Sequence, residues 1–197
     1  MRETELKAVV PDEKACLQRL LDAGAIIVSA GRIEDRRYDF PDRRLTMRDI
    51  VVRLRVHRTS EGAAATLDWK GAASFEAGYK HREELSVAVA NDAQMSGILD
   101  ALGYVVTRAV DRDVQVLRFG EAVIRFERFP RMDTLLEVEG PGPAIEEAIK
   151  ASGIPREAFV ADRLFMFVQR YEARTGQRAA ISDDEALGRY HFPLADA

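Results

Sequence analysis

Alternation of charged and apolar residues is the dominant signal along the chain. In the opening Glu3-Thr4-Glu5-Leu6-Lys7, Glu3, Glu5 and Lys7 fall on one face of a strand, and Thr4, Leu6 and Ala8 on the other. The pattern returns over 51–57, where Arg53, Arg55 and His57 oppose Val52, Leu54 and Val56, and over 66–70, where Asp68 and Lys70 oppose Leu67 and Trp69. Over 81–89 it sets Arg82, Glu84 and Ser86 against Leu85, Val87 and Val89; over 121–128, Arg125 and Glu127 against Ile124 and Phe126; over 133–139, Glu137 and Glu139 against Leu136 and Val138. Residues 26–40 read as a long strand, and 104–118 as the first arm of a hairpin turned at Phe119-Gly120-Glu121. Between strands the apolar period lengthens to that of helices. One helix is expected from Pro11, at its first turn, to about Ala23; another over 92–102, capped by Asn91 and closed by Gly103; a third from Pro141 and Pro143 to about Ala151; and a longer amphipathic one over 155–175. Ser182-Asp183-Asp184-Glu185 reads as the capping box of a short tail helix, and 71–78 as a small-residue loop.

About eight strands joined mostly by short turns, with three main helices, predict an α+β protein with a largely antiparallel sheet. Nearly every strand gives two long charged groups to one face and aliphatic or aromatic groups to the other. Helices covering the apolar face outside a charged interior would make an eight-stranded antiparallel closed β-barrel with a polar lumen. The expected domain is 1–175, followed by a tail, 176–197, with the short helix.

Composition narrows the function classes. A chain of 197 residues with 47% hydrophobic content is large enough for one domain with a core. A net charge of −4 gives no footing for bulk attraction to nucleic acid. The single cysteine, Cys16, excludes an internal disulfide and reads as helix core. No apolar run follows Met1-Arg2-Glu3 and none approaches the ~18 residues of a membrane span, so a cytoplasmic protein without signal peptide is expected. His57 reads as a rim residue, His81 and His191 as surface, and Trp69 as core; Tyr38 reads either as a core-edge tyrosine or as a residue orienting Lys70.

The charged face carries Glu3, Glu5, Glu84, Glu127, Glu137 and Glu139 against Lys7, Arg53, Arg55, Lys70, Arg82, Arg112 and Arg125. Charges taken from water must be paired or ligated. Mutual neutralisation by internal salt bridges is one solution. The other is a multiply charged anion held by the bases, since arginine forks bind phosphate oxygens bidentately. Carboxylate oxygens beside it suit Mg2+ or Mn2+. A polyphosphate is the expected guest.

The ordered set of motifs resembles the CYTH superfamily, the triphosphate tunnel metalloenzymes, which include class IV adenylyl cyclases, thiamine triphosphatases and inorganic triphosphatases. The motifs are Glu3-x-Glu5-x-Lys7, Tyr38, Leu54-Arg55, Trp69-Lys70-Gly71, Arg82-Glu83-Glu84, Ala101-Leu102-Gly103-Tyr104, Arg112, and Glu127 ten residues before Glu137-Val138-Glu139. The resemblance covers about residues 1–170. It implies an eight-stranded tunnel binding triphosphate with divalent metal, Mg2+ or Mn2+. By that resemblance Glu3, Glu5, Glu127, Glu137 and Glu139 fall at metal positions. Lys7, Arg53, Arg55, Lys70, Arg82, Arg112 and Arg125 fall at or near phosphate positions. Glu127 stands where the family usually carries Asp, Val110 where Lys is frequent, and Ala72 where Pro follows Lys-Gly. Three functions stay open: a triphosphatase in which Lys70, helped by Tyr38, activates water; an adenylyl cyclase making cyclic AMP and pyrophosphate from ATP; and a polyphosphate-binding module without turnover. Hydrolysis is favoured because no purine pocket is legible, only Phe75 and Tyr79 being placed to stack. The expected partner is a triphosphate-bearing small molecule, with no nucleic acid and no membrane; a homodimer is left open.

Overall fold

The computed structural model describes residues 5–72, 74–76, 79–81 and 83–189, with the backbone alone for 74–76 and 79–81. Glu3 and Arg82 therefore lie outside the described residues, as do His191 and the side chains of Phe75, Tyr79 and His81. In chain order the elements are β1 (Glu5–Val9), α1 (Glu13–Asp22), β2 (Ile26–Asp39), β3 (Val51–Thr59), β4 (Gly62–Lys70), β5 (Ser74–Glu76), β6 (Tyr79–His81), β7 (Glu84–Val89) and α2 (Asp92–Ala101). They continue with β8 (Val105–Phe119), β9 (Ala122–Arg128), β10 (Leu135–Glu139), α3 (Gly142–Ser152), α4 (Leu164–Thr175) and α5 (Asp183–Ala186).

Eight strands form one sheet in the order β1-β10-β9-β8-β2-β3-β4-β7, and β5 and β6 form a separate two-stranded ribbon. Each ladder of defined register is antiparallel. Among the described residues the ladder begins at β1 and ends at β7, so its hydrogen bonds show an antiparallel sheet and do not themselves close it into the expected barrel. The chain divides into two compact units, Met1–Gly31 with Arg112–Leu187 and Arg32–Asp111 with Gly188–Ala197, with boundaries inside β2 and β8.

In the first unit the apolar faces of β1, β8, β9 and β10 give Ala8, Leu117, Ile124, Phe126, Leu136 and Val138 to a core closed by Cys16 and Leu20 of α1 and Ile145, Ala148 and Ile149 of α3. α1 starts at Asp12, whose carboxylate accepts from the Ala15 amide, so Pro11 precedes the cap instead of occupying the first turn. Burial pushes the Cys16 thiol up to about 11, consistent with an inert core cysteine.

In the second unit Tyr38, Val52 and Leu54 pack with Leu67, Trp69 and Val89 against Met95 and Leu99 of α2 and Tyr104. Trp69 explains Gly71: a Cβ there would stand 2.8 Å from the indole ring. The loop expected over 71–78 contains the β5–β6 ribbon.

The helix expected over 155–175 begins only at Leu164. A short 3-10 turn covers Arg156–Ala158, and Val160 exchanges two backbone hydrogen bonds of 2.9 Å with Lys7. The outer edge of β1 thus takes backbone groups that a longer helix would have kept. The start of the tail is packed: Ala180 pairs with Arg131, Ile181 and Ser182 are buried, and Ser182 caps α5. Within the capping box Glu185 reaches the Ile181 amide at 2.8 Å.

Candidate functional site

The charged faces fall into two sets, one in each unit. In the first, the β1–β10–β9 register places Lys7, Glu137 and Arg125 in one cross-strand row, alternating in sign. Lys7 Nζ lies 2.8 Å from Glu137 and 2.7 Å from Glu5. Arg125 Nη1 donates to Glu137 at 2.8 Å and to Glu139 at 2.5 Å. Burial pushes the Glu137 carboxyl up, but Lys7 and Arg125 outweigh it and hold the group below the usual carboxylate range. Burial likewise lowers Lys7, and its two glutamates more than restore it, leaving the amine raised. The next row sets Glu5 directly opposite Glu139. Like charges so placed repel unless a cation serves both sides.

Glu5, Glu137 and Glu139 are therefore brought together, and Lys7 and Arg125 with them. Glu127 is not. It stands four residues along β9 from Val123, the partner of Glu139, about 14 Å at strand rise. Its carboxylate instead accepts from Arg112 Nε at 2.6 Å, both side chains being about nine-tenths buried. As folded, Glu127 is the counter-ion of Arg112 and does not join Glu5 and Glu139, the other carboxylates expected at metal positions. Among the described residues no three carboxylate, imidazole or thiol groups converge as a ready metal centre. Glu5, Glu137 and Glu139 instead accept from Lys7 and Arg125. Their chemistry, hard oxygens on adjacent strands with two facing each other, fits Mg2+ or Mn2+.

In the second unit the rows across β2, β3, β4 and β7 read Arg37–Arg53–Asp68–Ser86 and Asp35–Arg55–Thr66–Ala88. Arg53 donates from Nε and Nη2 to one oxygen of Asp68 at 2.9 and 2.6 Å, and Ser86 Oγ donates to the other at 2.7 Å. Arg55 makes a two-pronged pair with Asp35 at 2.7 and 2.8 Å. Burial raises the Asp68 carboxyl, and Ser86 and Arg53 outweigh it, leaving it lowered. Asp35 and Asp68 were not among the site residues expected from sequence. Asp68 shares the charged face of β4 by simple alternation, whereas Asp35 is found only through the β2–β3 register.

Lys70 heads the next row, opposite Glu84, with Nζ 2.9 Å from both carboxylate oxygens. Tyr38 is not beside it. Tyr38 belongs to the row Tyr38–Val52–Trp69–Leu85, on the opposite face of the sheet. Its side chain is buried, and its hydroxyl shares a 2.9 Å hydrogen bond with Ser96 Oγ of α2. Tyr38 therefore lies in the core, on the face of the sheet opposite Lys70.

In each unit an apolar sheet face packs under helices and the opposite face carries arginine and lysine paired with carboxylates, in an α+β protein. The chain belongs to the CYTH domain family, whose model matches residues 1–128. The match ends with β9, before Glu137 and Glu139. A search of curated proteins gives no match. Among solved structures the chain is similar to a putative adenylate cyclase from Vibrio parahaemolyticus, 17% identical, covering 85% of this chain and 97% of that one, with a TM-score of 0.67. It is similar to a protein from Pyrococcus horikoshii OT3, 20% identical, covering 86% and 98%, with a TM-score of 0.62. It is also similar to a putative adenylyl cyclase from Hippeastrum, described as having a dominant triphosphatase activity: 18% identical, 89% and 97% covered, TM-score 0.57. These likenesses show the fold. Among the described residues no helix is long and apolar enough to cross a membrane.

Proposed function

We propose that the chain is a metal-dependent enzyme that hydrolyses a triphosphate, within the closed eight-stranded barrel that the family resemblance implies. The observation that carries this is the pair Arg53 and Arg55. They stand on one strand face, each fork hydrogen-bonded to an aspartate that a phosphate group could replace. Family membership supports it, since CYTH enzymes are triphosphatases or adenylyl cyclases.

In this reading Arg53 and Arg55 hold phosphate oxygens. In the other set, Lys7, Arg112 and Arg125 offer cations, and Glu5, Glu137 and Glu139, with Glu3, would hold Mg2+ or Mn2+. When bound, the metal supplies charge neutralisation on the phosphate oxygens. Lys70, paired with Glu84, is suited to binding the terminal phosphate or orienting water by donation; to act as a base it would first have to leave that pair. Water oxygen bonds to the terminal phosphorus, the bridging oxygen leaves with its electron pair on the diphosphate, and the water proton passes to phosphate or solvent. Positioning and charge stabilisation then do most of the catalysis.

Cyclisation of ATP is the second reading, kept because two similar structures carry the description of putative adenylyl or adenylate cyclases. The test is incubation with Mg2+ or Mn2+ and, separately, ATP, thiamine triphosphate and inorganic triphosphate, assaying phosphate, pyrophosphate and cyclic AMP. Phosphate release is expected. Cyclic AMP with equimolar pyrophosphate would select the cyclase, and binding without any product the non-catalytic module.

A further inference from the structure

The charged face of the second unit changes character along β3. Arg53 and Arg55 head rows containing Asp68 and Asp35, but the next row is Ile33–His57–Ala64. His57 shares the face of the two arginines, about 7 Å beyond Arg55 at strand rise. Its two cross-strand neighbours carry no polar side-chain atom. Its Nε2 is buried and, among the described residues, has no hydrogen-bond partner. Buried polar nitrogens in folded proteins are nearly always satisfied, so an open one on a candidate site points to a partner from outside.

Phosphate is a poor partner at this position. Ile33 and Ala64 offer it no second donor, whereas the forks of Arg55 and Arg53 lie one and two steps back. An organic group fits better: apolar contact from Ile33 and Ala64, with one hydrogen bond from an imidazole that donates or accepts by choice of tautomer. The order of rows also gives a direction. With the terminal phosphate toward Lys70 and the chain of phosphates along Arg53 and Arg55, the esterified end arrives at His57.

We propose that His57 is a specificity-determining residue that hydrogen-bonds the organic group of a triphosphate ester, making the substrate an organic triphosphate and not inorganic triphosphate. This rests on the triphosphate-processing reading above. The residue contributes by selecting one substrate over another, since a site built to bond a heteroatom discriminates against ligands lacking it.

The test compares kcat/KM for ATP and thiamine triphosphate with that for inorganic triphosphate, in the wild-type full chain, His57→Leu and His57→Gln, with Mn2+ present. The expected result is a wild-type preference for at least one ester. That preference ratio should fall ten-fold or more in His57→Leu and be partly restored in His57→Gln, which keeps a hydrogen-bonding group. His57→Leu should melt no lower than wild type without ligand, because it removes an unsatisfied buried atom. A wild-type preference for inorganic triphosphate, a ratio unchanged within two-fold in both variants, or an equal loss on all three substrates overturns the assignment. The last of these would make His57 a phosphate contact. Should His57→Leu not fold, His57→Gln decides alone: its ratio must fall at least three-fold. A wild type that neither binds nor turns over any triphosphate removes the parent reading and this one together; an active wild type with an unmoved ratio removes this one alone.

Discussion

Replacing Asp68 with asparagine should weaken the fold and tighten its grip on triphosphate. In the wild type one Asp68 oxygen takes both Arg53 donors and the other takes Ser86. The side-chain amide in Asp68→Asn would keep an acceptor for one partner and lose the charge. Hydrogen bonds to charged groups are worth about 1.5–3 kcal/mol. The Arg53 and Asp68 side chains are 20% and 11% exposed. The loss should therefore exceed that of an exposed pair, about 0–1 kcal/mol, and fall short of the roughly 3–5 kcal/mol of a fully buried broken pair. Asp35, 3.9 Å from Arg53 Nη1, retains part of the compensation. A loss of about 2 kcal/mol in urea unfolding without ligand is expected. For binding the sign reverses. A phosphate approaching Arg53 in the wild type must displace Asp68, and in the variant it meets a neutral amide. If half of the lost pairing is recovered, affinity rises by about 1 kcal/mol, or roughly five-fold. Calorimetry with inorganic triphosphate in metal-free buffer reads this without involving the glutamates of the first unit. Arg53→Ala should abolish the gain, so the double variant closes a cycle. Reduced stability with unchanged or weaker binding would refute the reasoning, leaving Arg53–Asp68 a purely structural pair.

Three further outcomes are expected. Glu137 is held below its usual value, so its stabilisation is complete above about pH 4.5, the ordinary value of its carboxyl, and is lost as pH falls through the lowered one. Glu137→Gln should be less stable at neutral pH and show a flatter acid limb in urea titrations; an unchanged limb would remove this row from the acid response. Tyr38→Phe should leave turnover within about two-fold while lowering stability by about 1 kcal/mol for the lost Ser96 hydrogen bond; a large fall in kcat would return Tyr38 to the catalytic set. Chelator should abolish hydrolysis, and Glu5→Gln and Glu139→Gln should each slow it by ~10–100-fold, assayed by phosphate release over a Mn2+ titration; undiminished activity in both would remove their metal role.

Which residues lie on the charged faces was legible in the sequence because side-chain direction in a strand has period two. Lys7, Arg53, Arg55, Lys70, Arg125, Glu137 and Glu139 all follow from alternation. What these residues meet was not legible, because partners depend on register and loop length. Arg55 finds Asp35 twenty residues away and Arg53 finds Asp68 fifteen away. Glu127 shows the same limit. It has the right parity, but its distance along β9 from Val123 puts it with Arg112. In β2 the adjacent charges of Arg36 and Arg37 hide the parity. Arg36 turns to Asp111 at 2.5 Å, which puts Tyr38 on the apolar face with it. The helix expected over 155–175 failed for a tertiary reason: apolar spacing favoured it, but the edge of β1 recruited Val160.

The ion pairs decide how such a face binds anything. The internal-salt-bridge and anion-binding readings of the sequence are two occupancies of one set of groups. On the proposed function, with carboxylates already on Lys7 and Arg125 in one unit and on Arg53 and Arg55 in the other, an arriving phosphate would gain only the difference between two partners, and modest affinity for the anion alone is expected. Each phosphate that takes Lys7 or Arg125 also strips a counter-ion from Glu5, Glu137 or Glu139, and Glu5 and Glu139 already face each other. Those glutamates then need a new cation. Conversely, a cation brought to them first meets the unrelieved charge of Lys7 and Arg125. On the proposed function neither guest would be well accommodated alone, and together they would exchange partners with the resident pairs without leaving an unpaired charge. By linkage, whatever factor the cation adds to anion affinity the anion must add to cation affinity. In this reading the requirement for both arises from the strand register, through the alternating row Lys7–Glu137–Arg125.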